Sequence, residues 1–254
     1  MLVNLKNRIN KLYSRVALRG PGCWFAWKQY TRLVETFGKL MKKGDPEYAK
    51  LGYKFGVLPD SDLALIQGLV EEAPISEFKE SDYLPWHCHS FAGEVEIQFF
   101  AKWFRYYDLS LGIDVLRRVL CNLIPHLSTC VGHELRVVNM RCWGLIPGSP
   151  EKWSNKWHSD CYPTGLRKVL IYITPAGPLT GTTELQLDDG EVLAMDGPPG
   201  SWIFFEITKI IHRGVAPKAG NRIILEVIIA PSFKGGVNPV ISGNNAAYPL
   251  YPWV

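Results

Sequence analysis

The segment Trp157-His158-Ser159-Asp160 places a histidine and an aspartate two positions apart in a context typical of a strand. Side chains two residues apart on a strand point to the same face of the sheet. One imidazole nitrogen and one carboxylate oxygen can therefore contact a single metal ion. Two protein ligands alone hold a metal weakly, so this segment predicts a third ligand elsewhere in the chain.

His212 is the candidate for that third ligand. Two histidines and one aspartate on adjoining strands can occupy one face of an octahedral metal ion and leave three positions open. Arg222 follows His212 across the turn 216–221, and the sequence predicts that it opens a strand pairing with the strand of His212. Because a guanidinium suits bidentate capture of a carboxylate in a partly buried pocket, Arg222 predicts a carboxylate ligand beside the metal.

Length, composition and charge favour one ordered domain acting on a small molecule. The chain has 254 residues, 47% of them apolar, which suffices for one well-filled core. A net charge of +4 is well short of a nucleic-acid-binding surface. The six cysteines show no Cys-x-x-Cys spacing and indicate reduced thiols in a cytoplasmic protein. The sequence has no apolar run of membrane-spanning length and no signal-peptide pattern, and it does not indicate an oligomeric state.

Hydrophobic periodicity separates a helical first half from a second half rich in short strands. The spacing predicts helices at residues 2–18, 24–43 and 60–72 (capped by Asp60 or Ser61). A longer helical stretch is expected at 93–127, as one helix or as two helices broken near 109–112. Candidate strands follow at 135–146, 157–160, 169–174, 182–187, 201–206, 210–213 and 222–231. This order predicts an α+β domain whose double-stranded β-helix (jelly-roll) core carries the N-terminal helices on one sheet.

A single domain over residues 1–254 is expected, in three parts. These are a mainly helical part at 1–131, the jelly-roll core at 132–232 and a wrapping tail at 233–254. The first helix, 2–18, is amphipathic and basic. The favoured interpretation lays it on the domain with its charged face in water, and peripheral membrane contact is the alternative.

Three segments of the second half together resemble a known family. They are WHSD at 157–160, GTTELQL at 181–187 and GPPGSWIFFEITKIIHRGVAPKAGNRIILEVIIAP at 197–231. They resemble the core of the Fe(II)- and 2-oxoglutarate-dependent dioxygenases, most closely the phytanoyl-CoA dioxygenase-like branch. The resemblance covers about residues 135–231. It implies a jelly roll, iron held by His158, Asp160 and His212, and 2-oxoglutarate held by iron and Arg222.

The resemblance further implies that 2-oxoglutarate and O2 are consumed, that succinate and CO2 are released, and that a substrate is hydroxylated. Asp160 favours hydroxylation, because in halogenating relatives a halide takes the position of the carboxylate. One departure is Gly214, where many relatives carry a hydroxyl for the co-substrate carboxylate. That hydroxyl is expected from Thr174, Tyr172 or Thr182, or else it is absent.

Further residues are assigned to the pocket, with their alternatives. Asn139 and Arg141, on the strand before the motif, are candidates to contact 2-oxoglutarate, while Arg141 paired with an internal carboxylate is an equal alternative. Trp143, Trp86 and His87 are candidates to line the substrate site. The substrate itself is expected to be a small polar or carrier-linked metabolite.

Two other classes of function remain open at this point. The first is a non-oxidative metal-dependent jelly-roll enzyme of the cupin type, which gives Arg222 no evident task. The second is a non-catalytic jelly-roll binding module, which gives no reason for three converging metal-ligating side chains.

Overall fold

The computed structural model describes residues 23–41, 43–76, 94–160 and 165–237, without the side chains of 23–26, 94–97 and 153. Three predictions fall outside these residues: the basic helix at 2–18, the substrate-lining Trp86 and His87, and most of the C-terminal tail. They stay predictions.

Five α-helices lie in the described ranges: α1 Cys23–Met41, α2 Pro46–Leu51, α3 Asp60–Glu72, α4 Glu94–Trp103 and α5 Ile113–Val131. The boundaries of α1 and α3 are close to those predicted. The predicted cap of α3 is wrong, because Pro59 is the N-cap residue and no side chain caps the helix. α5 ends at Gly132, which adopts the left-handed conformation with φ 75°.

The strands form two antiparallel sheets. Their bounds are β1 Tyr53–Val57, β2 Ile75–Ser76, β3 Phe104–Tyr107, β4 Leu135–Leu145, β5 Arg167–Tyr172, β6 Thr182–Gln186, β7 Val192–Ala194, β8 Ser201–Glu206, β9 Ile211–Val215, β10 Arg222–Pro231 and β11 Gly236–Val237. The large sheet has the order β1-β8-β5-β10-β4-β3-β2, with β11 parallel to β4. The small sheet has the order β7-β6-β9.

The first half of the chain contributes strands as well as helices. β3 lies inside the stretch 93–127 that was predicted as helical, just before the expected break near 109–112, and it pairs with β4, with Tyr106 opposite Trp143. The sequence FRYY of β3 is rich in aromatic residues, which favour a half-buried sheet position over a helix. Pairing with a distant strand therefore decides the local structure here.

β9 and β10 do not pair, which corrects the predicted hairpin. β9 pairs with β6, and β10 pairs with β4 and β5 in the other sheet. The turn between β9 and β10 therefore crosses from one sheet to the other. Arg222 reaches the interior from the sheet opposite His212.

Side-chain alternation divides the core into two layers. Val169 and Ile171 of β5 face a cluster built with α3 and α5, whereas Leu170 and Tyr172 face the other way, toward residues of the small sheet. α1 and α4 contribute to this second cluster, so the helices do not all pack on one side. The space between the sheets holds the polar residues described below.

None of the described helices is both long and apolar enough to cross a membrane.

The buried His133 makes the stability of the folded chain depend on pH. Burial, with a smaller contribution from Arg167, lowers the pKa of His133 to about 3. The unfolded chain, with a His pKa near 6.5, therefore binds the proton more tightly, so stability is complete above about pH 6.5 and falls as the pH drops toward 3. Between pH 7.5 and 4.5 this histidine should contribute a loss of about 2–3 kcal/mol.

Urea denaturation at both pH values tests this expectation. His133→Gln should show a correspondingly smaller loss of unfolding free energy than the wild type. The exposed His126 on α5 supplies the control, because His126→Gln should keep the wild-type difference. Equal losses in His133→Gln and in the wild type would contradict the assignment.

Candidate metal centre

His158 and His212 are held side by side by their own backbones. The amide of His158 donates to the carbonyl of His212 at 3.0 Å, and the amide of His212 donates back at 2.8 Å. The predicted strand at 157–160 is thus a single antiparallel bridge onto β9. The amide of Asp160 donates to the carbonyl of Ile207 at 3.2 Å, which fixes the segment at its other end.

These backbone contacts bring the three predicted ligands together. One ligand atom from each of His158, Asp160 and His212 lies within 4.8 Å of the others. The Nε2 atoms of His158 and His212 lie 3.6 Å and 3.7 Å from the two carboxylate oxygens of Asp160. The His158 side chain is 29% exposed and the His212 side chain only 5%. The group can hold a metal ion, and it opens toward solvent on the His158 side.

Backbone carbonyls fix which nitrogen of each imidazole faces the site. Nδ1 of His158 lies 2.8 Å from the carbonyl of Lys156, and Nδ1 of His212 lies 3.0 Å from the carbonyl of Ile210. A carbonyl can only accept, so each Nδ1 carries the proton and each Nε2 keeps a free lone pair. Such outer contacts orient histidine ligands in metal sites.

The ligand atoms of His212 and Asp160 are unprotonated near neutral pH. Burial lowers the pKa of His212 to about 4. Burial alone would raise the pKa of Asp160, but Lys168 and the two histidines hold it well below its usual range. A metal ion therefore displaces no proton from His212 or Asp160 at pH 7.

Lys168 is a buried neighbour of the site that the sequence analysis missed. Its Nζ lies 2.5 Å from Oδ2 of Asp160 and 3.7 Å from Oε2 of Glu226. Glu226 in turn accepts a 2.8 Å hydrogen bond from Nε of Arg141. The predicted strand began at Val169, which left Lys168 outside it. A β5 that begins at Arg167 places Lys168, Leu170 and Tyr172 on one inward face.

Arg222 lies buried in the same interior, with two of its donors unpartnered. The residue is 1% exposed, and its Nη2 donates to Oγ1 of Thr183 at 2.8 Å. Its Nε and Nη1 have no hydrogen-bond partner among the described residues. The guanidinium carbon lies 5.4 Å and 5.6 Å from the ring centroids of Trp143 and Tyr172. Buried donors of a cation normally have acceptors, so these two atoms indicate a place for an anionic ligand.

Gly214 keeps the space in front of Arg222 open. A Cβ atom at this position would lie 2.8 Å from Nη1 of Arg222 and 3.3 Å from Oδ1 of Asn155. Gly214 stands opposite Thr183 in the pairing of β9 with β6. The glycine that departs from the expected hydroxyl position therefore lies beside the unpartnered donors.

Thr183, which was not among the predicted site residues, places a hydroxyl beside Arg222 and Tyr172. Its Oγ1 accepts from Arg222 and also from the hydroxyl of Tyr172, at 2.6 Å. The hydroxyl of Thr182 donates instead to the carbonyl of Met195, because neighbouring strand residues face opposite ways. The hydroxyl of Thr174 accepts from the amide of Ile223.

The remaining predicted residues lie along the interior face of β4. Arg141 is paired with Glu226, which is the internal-carboxylate alternative. Asn139 is 1% exposed, and neither polar atom of its side chain has a partner among the described residues. The indole nitrogen of Trp143 is likewise buried without a described partner.

Comparison with known proteins gives structural but not sequence relatives. No protein-family model matches the chain, and a search of curated proteins finds no match. Among solved structures, the non-heme alpha-ketoglutarate-dependent epimerase SnoN from nogalamycin biosynthesis matches with a TM-score of 0.51 at 16% identity, covering 72% of this chain and 78% of SnoN.

Two further structures match over a similar extent. An oxidoreductase of the 2OG-Fe(II) oxygenase family from Burkholderia pseudomallei gives a TM-score of 0.50 at 14% identity, covering 76% of this chain and 89% of that one. EctD from S. alaskensis, solved with 2-oxoglutarate and 5-hydroxyectoine, gives 0.50 at 13%, covering 72% and 73%. These similarities show that the chain has the fold of this oxygenase superfamily. The narrower resemblance to the phytanoyl-CoA dioxygenase-like branch stays a prediction.

Proposed function

We propose that this protein is an Fe(II)- and 2-oxoglutarate-dependent oxygenase that hydroxylates a small polar or carrier-linked metabolite. The observation that supports it best is the pair of unpartnered, buried Arg222 donors in the same interior as a His-Asp-His group. We further propose that the two sheets form the double-stranded β-helix that the sequence predicts.

The donor set fits ferrous iron. Two imidazole nitrogens and one carboxylate oxygen, without a thiolate, are the protein ligands of non-heme Fe(II) oxygenases. His158, Asp160 and His212 would hold the ion from one side and leave its other side free. When bound, iron would supply the activation of O2 that is coupled to oxidative decarboxylation of the keto acid.

The unpartnered donors of Arg222 suit the far carboxylate of 2-oxoglutarate. Nε and Nη1 of Arg222 can each donate to a carboxylate oxygen, and such charge-assisted bonds are the stronger kind. The hydroxyl of Thr183 adds a polar contact beside them, and Gly214 places no side chain against Nη1. Trp143 and Tyr172 flank the guanidinium with aromatic surface that limits access of water.

The proposal of hydroxylation is based on the carboxylate ligand, Asp160, and the mass of the product tests it. Asp160 occupies the ligand position that a halide takes in halogenating relatives, which favours hydroxylation over halogenation. The structural neighbour SnoN is an epimerase, so the reaction must be identified by mass. A hydroxylated product is one oxygen atom heavier than its substrate, whereas an epimerised product has an unchanged mass.

Anaerobic titration with Fe(II) and 2-oxoglutarate tests the proposal directly. We expect a weak visible charge-transfer band that requires both components, because the keto acid and iron must be in contact to produce it. A non-oxidative metal enzyme would bind a metal without this band, and a binding module would bind neither component. Absence of the band would contradict the proposed function. If the band appears, metabolite pools can be screened for a compound that stimulates release of succinate from 2-oxoglutarate, and that compound is the substrate.

Gly214→Ala should weaken 2-oxoglutarate binding at least tenfold and leave metal affinity unchanged. The added methyl group would press against Nη1 of Arg222, the atom proposed to bind the carboxylate. Calorimetric titration of the metal-loaded protein measures the effect. Gly68→Ala on α3 is the matched control, because its Cβ would meet no atom within 4 Å. Unchanged 2-oxoglutarate affinity in Gly214→Ala would place the carboxylate elsewhere.

A further inference from the structure

Four charged side chains form a row of alternating sign that ends at the metal site. Arg141 donates to Glu226 at 2.8 Å, Lys168 lies 3.7 Å from Glu226, and Lys168 contacts Asp160 at 2.5 Å. The side chains of Lys168 and Glu226 are only 7% and 3% exposed. A buried lysine is costly to keep charged, so its direct contact with Asp160 requires an explanation.

The charges in this row cancel before any metal binds. Asp160 is the only anion of the His-Asp-His group, and Lys168 already compensates it. Arg222 adds a positive charge with no carboxylate partner among the described residues. A divalent ion would thus enter an interior whose nearest anion is already neutralised.

We propose that Lys168 makes binding of the metal ion depend on binding of the dianionic co-substrate. This inference rests on the proposed function and assigns Lys168 as a positioning and charge-coupling residue. The ammonium group holds one oxygen of Asp160, and its charge lowers the affinity of the site for the metal ion alone.

The physical cause is repulsion between like charges at short range. An ammonium group on the ligand carboxylate repels a divalent ion strongly, because the partly buried site screens charge less than bulk water does. 2-Oxoglutarate brings two negative charges, one for the metal and one for Arg222. The keto acid therefore offsets the unfavourable charge of the metal-loaded site.

Coupling of this kind is reciprocal. If 2-oxoglutarate raises the affinity for the metal by some factor, the metal raises the affinity for 2-oxoglutarate by the same factor. The protein should then bind either component weakly and both together tightly. Glu226 moderates the effect, because its carboxylate, 3.7 Å from the ammonium group, partly compensates the charge of Lys168.

Two substitutions should shift the coupling in opposite directions. Lys168→Met removes the positive charge, so Fe(II) alone should bind at least tenfold tighter. The increase in Fe(II) affinity caused by 2-oxoglutarate should then be smaller than in the wild type. Glu226→Gln removes the moderating negative charge at constant shape, so Fe(II) alone should bind more weakly. The increase in Fe(II) affinity caused by 2-oxoglutarate should be larger than in the wild type. Anaerobic calorimetry measures the Fe(II) affinity of each variant and of the wild type, with and without saturating 2-oxoglutarate.

A purely structural role for Lys168 predicts a different result. If the ammonium group only positions Asp160, Lys168→Met would weaken Fe(II) binding equally with and without 2-oxoglutarate, and this outcome would overturn the proposal. The proposal would also be overturned if the effect of 2-oxoglutarate on Fe(II) affinity increased in both variants or decreased in both. Should Lys168→Met fail to fold, Glu226→Gln alone decides, because unchanged or tighter binding of Fe(II) alone in that variant contradicts the proposed charge effect.

Failure of the proposed function gives a distinct pattern. A wild-type protein that binds no Fe(II), even with 2-oxoglutarate present, would refute the oxygenase assignment itself. Binding of both components without coupling would leave that assignment intact and would refute only the role of Lys168.

Discussion

His212→Ala and Asp160→Ala are each expected to reduce Fe(II) affinity more than 100-fold and to abolish 2-oxoglutarate turnover. Loss of an outer residue that only orients a ligand typically costs 10- to 100-fold in metal affinity, and loss of a ligand itself should cost more. His212 is also the more buried of the two histidine ligands, at 5% side-chain exposure against 29% for His158. Water is therefore a poor substitute for its imidazole.

Calorimetry under anaerobic conditions and succinate release measure the two effects. Asp160→Ala also leaves Lys168 without its closest partner, so its unfolding free energy should fall as well, by about 3 kcal/mol. Circular dichroism and urea denaturation separate this loss of stability from loss of the ligand. His126→Ala, on the exposed face of α5, should retain wild-type metal affinity. Metal binding that survives both ligand substitutions would show that the metal is held elsewhere.

Arg222→Met should weaken 2-oxoglutarate binding about 100-fold and leave binding of the metal alone intact or slightly improved. Two charge-assisted hydrogen bonds to a carboxylate together contribute roughly 3 kcal/mol, which corresponds to about two orders of magnitude in Kd. Methionine keeps much of the buried volume, so the packing against Trp143 and Tyr172 should persist.

Arg213 provides a matched control for this experiment. Its guanidinium is satisfied by Glu184 at 2.7 Å and Glu151 at 2.5 Å, and it stacks on Trp157 at 4.6 Å. Arg213→Met should therefore keep the wild-type affinity for 2-oxoglutarate. Wild-type affinity in Arg222→Met would refute the role proposed for Arg222, and an equal loss in both variants would indicate a general perturbation of β9 and β10.

Several site predictions were based on the spacing of residues along a strand, and the structure shows which of them this spacing could support. The two-residue spacing of His158 and Asp160 correctly indicated that the two side chains share one face. Thr182 was one of three positions expected to supply a hydroxyl beside Arg222, whereas the hydroxyl that contacts Arg222 belongs to its neighbour Thr183. Register within a strand is set by which face is buried, and in the Thr-Thr pair the sequence offers no apolar residue to distinguish the two.

Local sequence patterns could not predict which distant strands pair, for a different reason. Arg222 follows His212 closely in the chain, which favoured a hairpin between their strands. The turn between them instead joins two different sheets, and the guanidinium meets the site from the opposite side. Lys168 was overlooked because a lysine at the start of an apolar strand is normally solvated, and only the packing of β5 against β10 shows it beside Glu226 and Asp160.

The sequence by itself predicted a His-Asp-His group, the strand-rich second half and an arginine, Arg222, in the same interior as that group. These features follow from residue chemistry and from periodicities along a single strand or helix. Only the tertiary structure decided which threonine meets Arg222, which cation neutralises Asp160 and from which sheet Arg222 enters. Those outcomes depend on burial and on contacts between strands far apart in the chain, whose free energies no local pattern contains.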